Sequence, residues 1–229
     1  MGGAALGTDL TGAPRPIVPD SLGIFGGTFD PIHVAHLAVA EEAAEALGLE
    51  RVMFMPAGQP PHKPGLEITP AEQRLEMVQL AIAGNDRFSV DRREIDRGGP
   101  SYTVDTLEDL RAARLAEGAS PDLTLVLSAE AFLGLMSWRE PRRVMELARV
   151  VVAPRDGYPD AGPAFLAEHM PDLADRATFL DGPRLRLSAS ELRARAAAGR
   201  SLRYLVPDAV AAYIGDHALY QHSRRDPPS

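Results

Sequence analysis

No cysteine occurs among the 229 residues. That absence excludes a disulfide framework, a thiolate nucleophile and a cysteine zinc site, and it suits a chain that stays in the cytoplasm. Aromatic residues are scarce, 6% of the chain, with a single tryptophan at Trp138. No apolar run approaches the roughly 20 residues that a membrane-spanning helix needs. Cations are outnumbered, since 24 Lys and Arg face 32 Asp and Glu for a formal charge of -8. A broad nucleic-acid surface depends on clustered cations and is not expected. The first twenty residues have neither the basic start nor the long apolar core of a secretory signal, and they read as a flexible leader. The chain also lacks repeats, heptads and low-complexity segments.

What is present is an ordinary globular balance of 45% hydrophobic and 24% charged residues. The length suits one domain. The expected division is a leader over 1–20, a single domain over 21–220 whose part from about 184 is helical, and a tail over 221–229. Nothing in the sequence sets the oligomeric state, and a homo-oligomer stays open.

Leu22 to Phe25 is a short apolar run ending in two glycines, which reads as a buried strand entering a tight turn. Asp30 and Pro31 then suit the N-cap and first residue of a helix that runs to a glycine stop at Gly48. Arg51 to Met55 follows as a second strand, completing a β-α-β unit. Beyond the Pro- and Gly-rich loop from Pro56 to Leu66, Thr69-Pro70-Ala71-Glu72 has the form of a capping box before a helix through Ile82. Further strands are expected at Phe88–Val90, Asp122–Leu127, Arg149–Ala153 and Thr178–Leu180. Further helices are expected over Thr103–Leu115, around Ala131–Leu135 and Arg142–Leu147, and in a short piece between Asp156 and Pro171. Ser188-Ala189-Ser190-Glu191 is a second capping box, opening a helix to about Ala198, and Pro207–Ile214 is a last amphipathic helix. Alternating strands and helices of this kind predict an α/β, doubly wound, mostly parallel sheet.

The stretch Gly23 to Leu37 carries the chemistry. Gly26 and Gly27 let backbone approach a ligand, Thr28 adds a hydroxyl, and a helix N-terminus supplies free N–H groups and a positive dipole end. His33 and His36, at i and i+3, can each donate to a phosphate oxygen. The duller reading is a plain turn and a surface histidine pair. Zinc would need a third ligand at sensible spacing, and none is evident. The run is not the G-x-G-x-x-G dinucleotide fingerprint. Arg184, Arg186, Arg193, Arg195, Arg200 and Arg203 crowd one segment, either a solvated face or a field for a small anion.

GGTFDPIHVAH resembles the (H/T)xGH signature of the nucleotidyltransferase superfamily, in the form typical of nicotinate-nucleotide adenylyltransferases. LSASELR (Leu187 to Arg193) resembles that family's second phosphate motif. PAGQPPHK from Pro56, GGPSYTVDTL from Gly98, SW at Ser137, PRDGY from Pro154 and RYLVPDAV from Arg203 are similar too, in order across about residues 22–220. Three departures stand out: Ala35 replaces the glycine of HxGH, Ala189 replaces a hydroxyl of the second motif, and Ser128-Ala129-Glu130 stands where the family has Gly-Ala-Asp.

The resemblance implies a Rossmann-like nucleotidyltransferase fold and adenylyl transfer from ATP to nicotinic acid mononucleotide in NAD biosynthesis. Magnesium is implied as ATP's companion, with no residue of the chain as its ligand. It implies His33, His36 and Arg193 as catalytic groups, and Gly26, Gly27, Thr28, Phe29, His33, His36, Ser188, Ser190 and Arg193 around ATP. Lys63, Tyr102, Thr103, Trp138 and Arg155 are implied around the mononucleotide. On residue type alone Trp138 suits a core position better than a ligand contact, and the resemblance reverses that preference. The rival readings are the same chemistry on nicotinamide mononucleotide or phosphopantetheine, a nucleotide-binding protein that has lost turnover, and a His-x-x-His metal protein.

Overall fold

The computed structural model describes residues 16–60, 67–159 and 162–221. The first unit is β1 (Val18–Gly27), α1 (Val34–Leu47) and β2 (Leu49–Pro56), followed by α2 (Ala71–Ile82) and β3 (Phe88–Val90). The chain then passes through α3 (Arg93–Arg97) and α4 (Thr103–Ala116) to β4 (Leu123–Ser128). Next come α5 (Ala129–Leu133), a 3-10 turn at Leu135–Ser137, α6 (Pro141–Leu147) and β5 (Arg149–Ala153). The remainder is α7 (Pro163–His169), a 3-10 segment Pro171–Arg176, β6 (Ala177–Phe179), α8 (Ala189–Ala197) and α9 (Asp208–Asp216).

All strand pairs are parallel and their order is β3-β2-β1-β4-β5-β6. The sheet is covered on both faces because successive strand residues point to opposite sides. Ile24 and Leu125 enter one core with Leu107 of α4 and Met145 of α6. Phe25 and Val126 enter the other with Ala40 of α1, Val78 of α2 and Val210 of α9. The chain winds outward from β1 to β3 and then returns to lay β4 against the other side of β1. Connections leaving β1 and β4 therefore diverge to opposite faces and open a crevice at the carboxyl ends of these strands, where ligands bind in open α/β sheets.

The expected elements are present with several shifts. β1 opens at Val18, inside the segment read as leader, because Val18 pairs with Leu49 and Asp20 is held by Arg114, whose Nη2 lies 2.7 Å from Oδ1. The α1 N-cap is His33, not Asp30. Asp30 is instead buried and committed to tertiary hydrogen bonds, and the Asp30–Pro31 bond is cis. The cap residue of α2 is Pro70, and Thr69 lies outside the helix, so the capping box expected there does not form. At Ser188 the N-cap half of the box forms, with Ser188 Oγ accepting from Glu191 N at 3.2 Å. The short helix α3 has no counterpart in the sequence reading. At only five residues it is too brief to show a periodic stripe.

Candidate active site

A cavity of about 170 Å³ lies at the crevice, walled by Gly26, Gly27 and Thr28 from the end of β1, Ala57 beyond β2, and Tyr102, Thr103, Thr106, Trp138 and Arg139 from the opposite face. Gly26 has a specific role there. A Cβ built on it meets nothing within 4 Å, so a side chain would take up cavity space without touching the protein's own packing. Gly58 is constrained differently, since a Cβ there would come within 2.2 Å of the Glu94 carbonyl oxygen. Its N–H is donated to Ser101 Oγ at 3.0 Å.

Tyr102 is the N-cap of α4 but its side chain makes no cap hydrogen bond. The N–H groups of the first turn, beginning at Thr103 in the cavity wall, thus keep their donors and the positive end of the helix dipole. The Arg139 guanidinium sits 5.0 Å from the Tyr102 ring centroid and donates to Asp105 Oδ2 at 3.2 Å. Deeper in the wall, Glu94 accepts from Thr106 Oγ1 at 2.8 Å, and burial raises its carboxyl above the ordinary value.

On the other side of the glycine turn, the His33 and His36 rings stack with centroids 3.7 Å apart. His36 Nδ1 accepts the His33 backbone N–H at 3.2 Å. A neutral His36 therefore carries its proton on Nε2, as a donor. Burial, reinforced by the charge of Arg155, lowers His33 to about 4. Burial is also the main cause that lowers His36 well below its ordinary value, followed by His33 and Arg155. Both rings are thus neutral donors near pH 7. His33 Nδ1 is buried without a hydrogen-bond partner, the kind of atom a ligand can satisfy. Phe29 is buried with its ring 5.1 Å from that of His36. Its side chain supports the histidine from beneath and does not line the cavity.

The second motif meets the first through Arg193. Its Nη1 donates to the Asp30 carbonyl at 2.7 Å, and its Nη2 to Ser190 Oγ at 3.2 Å. Ser188 is occupied as the α8 cap, donating to Glu191 Oε2 at 3.1 Å as well as accepting from Glu191 N. Two other arginines of the basic segment are engaged elsewhere. Arg195 donates to Ser201 O at 3.0 Å, and Arg203 lies over the Tyr204 ring. Arg155 pairs with Glu130 at 2.6 Å, two residues beyond the registered pair Ser128 and Ala153. Lys63 lies outside the described residues.

Sequence reasoning missed Arg74. It is 1% exposed and donates to the carbonyls of Thr28 (2.8 Å), Thr69 (2.8 Å) and Gly58 (3.1 Å). One guanidinium thereby ties the glycine turn to two neighbouring loops. A signal was present, because Arg74 lies four residues before Val78 on the inward stripe of α2. Glu94 and Arg139 were missed for want of any motif.

No three His, Cys, Asp or Glu side chains among the described residues come together to hold a metal ion. Among the described residues the donor set does not fit an ion held by the protein alone.

The cytidylyltransferase-like family matches residues 24–195. A probable nicotinate-nucleotide adenylyltransferase of Roseiflexus sp. (strain RS-1) is 50% identical over 200 residues, covering 87% of this chain and 98% of that protein. Its counterpart from Thermomicrobium roseum is 44% identical over 87% of this chain and 91% of that protein. The chain belongs to the nicotinate-nucleotide adenylyltransferase family. A Plasmodium falciparum nicotinic acid mononucleotide adenylyltransferase complexed with NaAD shares the fold, with TM-score 0.72 at 16% identity over 87% of this chain and 97% of that one. Within this adenylyltransferase fold, the residues expected from the motifs fall into two groups. Tyr102, Thr103 and Trp138 share the cavity with Gly26, Gly27 and Thr28. His33 and His36 form a separate cluster under the field of Arg155, while Arg193 joins the two motifs.

Proposed function

We propose that the chain transfers the adenylyl group of ATP to the 5′-phosphate of nicotinic acid mononucleotide, releasing nicotinic acid adenine dinucleotide and pyrophosphate. The observation that carries this reading is the cavity itself, where Trp138, Tyr102 and the uncapped start of α4 face the glycine turn. An aromatic wall suits the pyridine ring, and free N–H groups with Arg139 nearby suit its carboxylate better than a neutral amide. The relatives' names support the same acceptor.

The acceptor phosphate is itself the nucleophile, so the protein's work is alignment and charge stabilisation. In this mechanism Arg155 holds the acceptor phosphate. The phosphate oxygen attacks the α-phosphorus of ATP in line, and the bond to the bridging oxygen of the leaving pyrophosphate breaks. His36 Nε2–H donates to the α-phosphate oxygens, with His33 beside it. Because both rings are neutral, they provide hydrogen bonds without becoming proton traps. Arg193, Ser190 and the α8 N-terminus receive the leaving phosphates. Ser188 acts as the cap that orients that helix start. Magnesium would accompany ATP in this proposal and supply charge neutralisation at its phosphates. We place the reaction in the cytoplasm on the cysteine-free composition.

The test is to give purified protein ATP, magnesium and each mononucleotide separately while following pyrophosphate and dinucleotide. Turnover with the nicotinic acid form is expected. Product from nicotinamide mononucleotide alone would overturn the acceptor, and ATP binding without product would overturn the enzymatic reading.

A further inference from the structure

Asp30 sits in the turn between the glycines and the histidine pair, and the residue is 3% exposed. One oxygen, Oδ2, accepts the Thr69 backbone N–H at 3.3 Å. The other, Oδ1, accepts the hydroxyl of Tyr220 at 2.7 Å, across 190 residues of sequence. The same residue's carbonyl takes Arg193 Nη1 at 2.7 Å. Asp30 therefore joins the first phosphate motif, the loop before α2, the arginine of the second motif and the end of the described chain.

This arrangement poses a competition. A buried carboxylate short of one hydrogen bond is costly and draws a nearby cation. Arg74, whose charge also reaches Asp30, is already committed to the carbonyls of Thr28, Thr69 and Gly58. The guanidinium of Arg193 is already anchored on the Asp30 main chain. With the phenol removed, Arg193, which donates to the Asp30 carbonyl and to Ser190 Oγ, would turn toward the carboxylate as an ion pair and draw its donors away from the ligand side. Burial and the neighbouring carboxylate also hold the Tyr220 hydroxyl well above its ordinary pKa, so it remains a donor throughout the working range.

We propose that Tyr220 is a positioning residue for adenylyl transfer: by satisfying Asp30 Oδ1 it keeps Arg193 available to the leaving pyrophosphate. The inference rests on the role given to Arg193 above. It assigns the residue just beyond α9 a task at the opposite end of the sequence, for which no motif provides.

The experiment uses the reverse reaction, pyrophosphate plus nicotinic acid adenine dinucleotide, with full-length wild type, Tyr220→Phe, Asp30→Asn, the double variant and Arg193→Ala. Tyr220→Phe is expected to raise KM for pyrophosphate about tenfold, the scale of a lost hydrogen bond to a charged group. KM for the dinucleotide should stay within about twofold of wild type, a discrimination that a general loss of stability would not produce. In the Asp30→Asn background, where no carboxylate competes for Arg193, adding Tyr220→Phe should have no further effect on pyrophosphate KM. Circular dichroism and a thermal melt verify that each variant is folded at the assay temperature. An unchanged pyrophosphate KM in folded Tyr220→Phe, or additive effects in the double variant, would overturn the proposal. If Arg193→Ala leaves pyrophosphate KM unchanged, the role of Arg193 itself falls.

Discussion

His36 shows how the local backbone determines the chemistry of a side chain. Its Nδ1 is consumed by the His33 N–H at 3.2 Å, which leaves Nε2–H as the donor without any acid-base partner being needed. His36→Ala should therefore lower kcat by about 10²- to 10³-fold, the cost of removing one preorganised transition-state donor. Steady-state rates together with a circular dichroism spectrum check this, and near-normal kcat would contradict the assignment. Gly58 matters for a different reason. Its Cα lies so close to α3 that a methyl would fall 2.2 Å from the Glu94 carbonyl. Gly58→Ala should destabilise the protein by about 1–3 kcal/mol through overpacking. The acceptor KM should rise as well, because Glu94 and Ser101 line the cavity. Urea unfolding and acceptor titration measure the two effects.

At the scale of elements, legibility followed periodicity and capping chemistry. β3 and β5 were readable to the residue, because short runs rich in β-branched residues such as RVVVA, closed by Pro154, have few alternatives. The α8 cap was readable because Ser188 and Glu191 have the spacing of the interaction they make. The same pattern at Thr69 misled, since Pro70 itself occupies the cap position with an extended ψ of 141°. Asp30 misled for a related reason. Asp-Pro is a sound helix start by local rules, but here Tyr220, from a remote segment, claims the carboxylate. The cavity residues Tyr102, Thr103 and Trp138 were legible only through family motifs; nothing local in them states that α4 and the 3-10 turn after α5 converge on β1. Arg74 shows how a tertiary requirement hides, since its three carbonyl partners come from loops without regular pattern.

The whole molecule joins these elements through one sheet, and its dependence on pH follows from the buried histidines. His33 falls from about 6.5 in an unfolded chain to about 4 in the folded one. Between those values the unfolded state binds the extra proton. The stability that goes with a neutral His33 is therefore complete above about pH 6.5 and is lost as pH falls toward 4, by about 3 kcal/mol in all. Glu94, raised by burial, works in the opposite sense over the acid end of that window, so the comparison needs a His33→Asn variant. Urea midpoints should decline more steeply from pH 7 to pH 4.5 in wild type than in the variant, and parallel curves would contradict the burial account. On the proposed function the cavity beside β1 takes the pyridine of the acceptor, and Trp138, the only tryptophan, reports on it directly. Titrating nicotinic acid mononucleotide into the protein without ATP should quench Trp138 emission saturably, and nicotinamide mononucleotide should need a higher concentration. Unchanged emission at acceptor concentrations that saturate turnover would contradict the account.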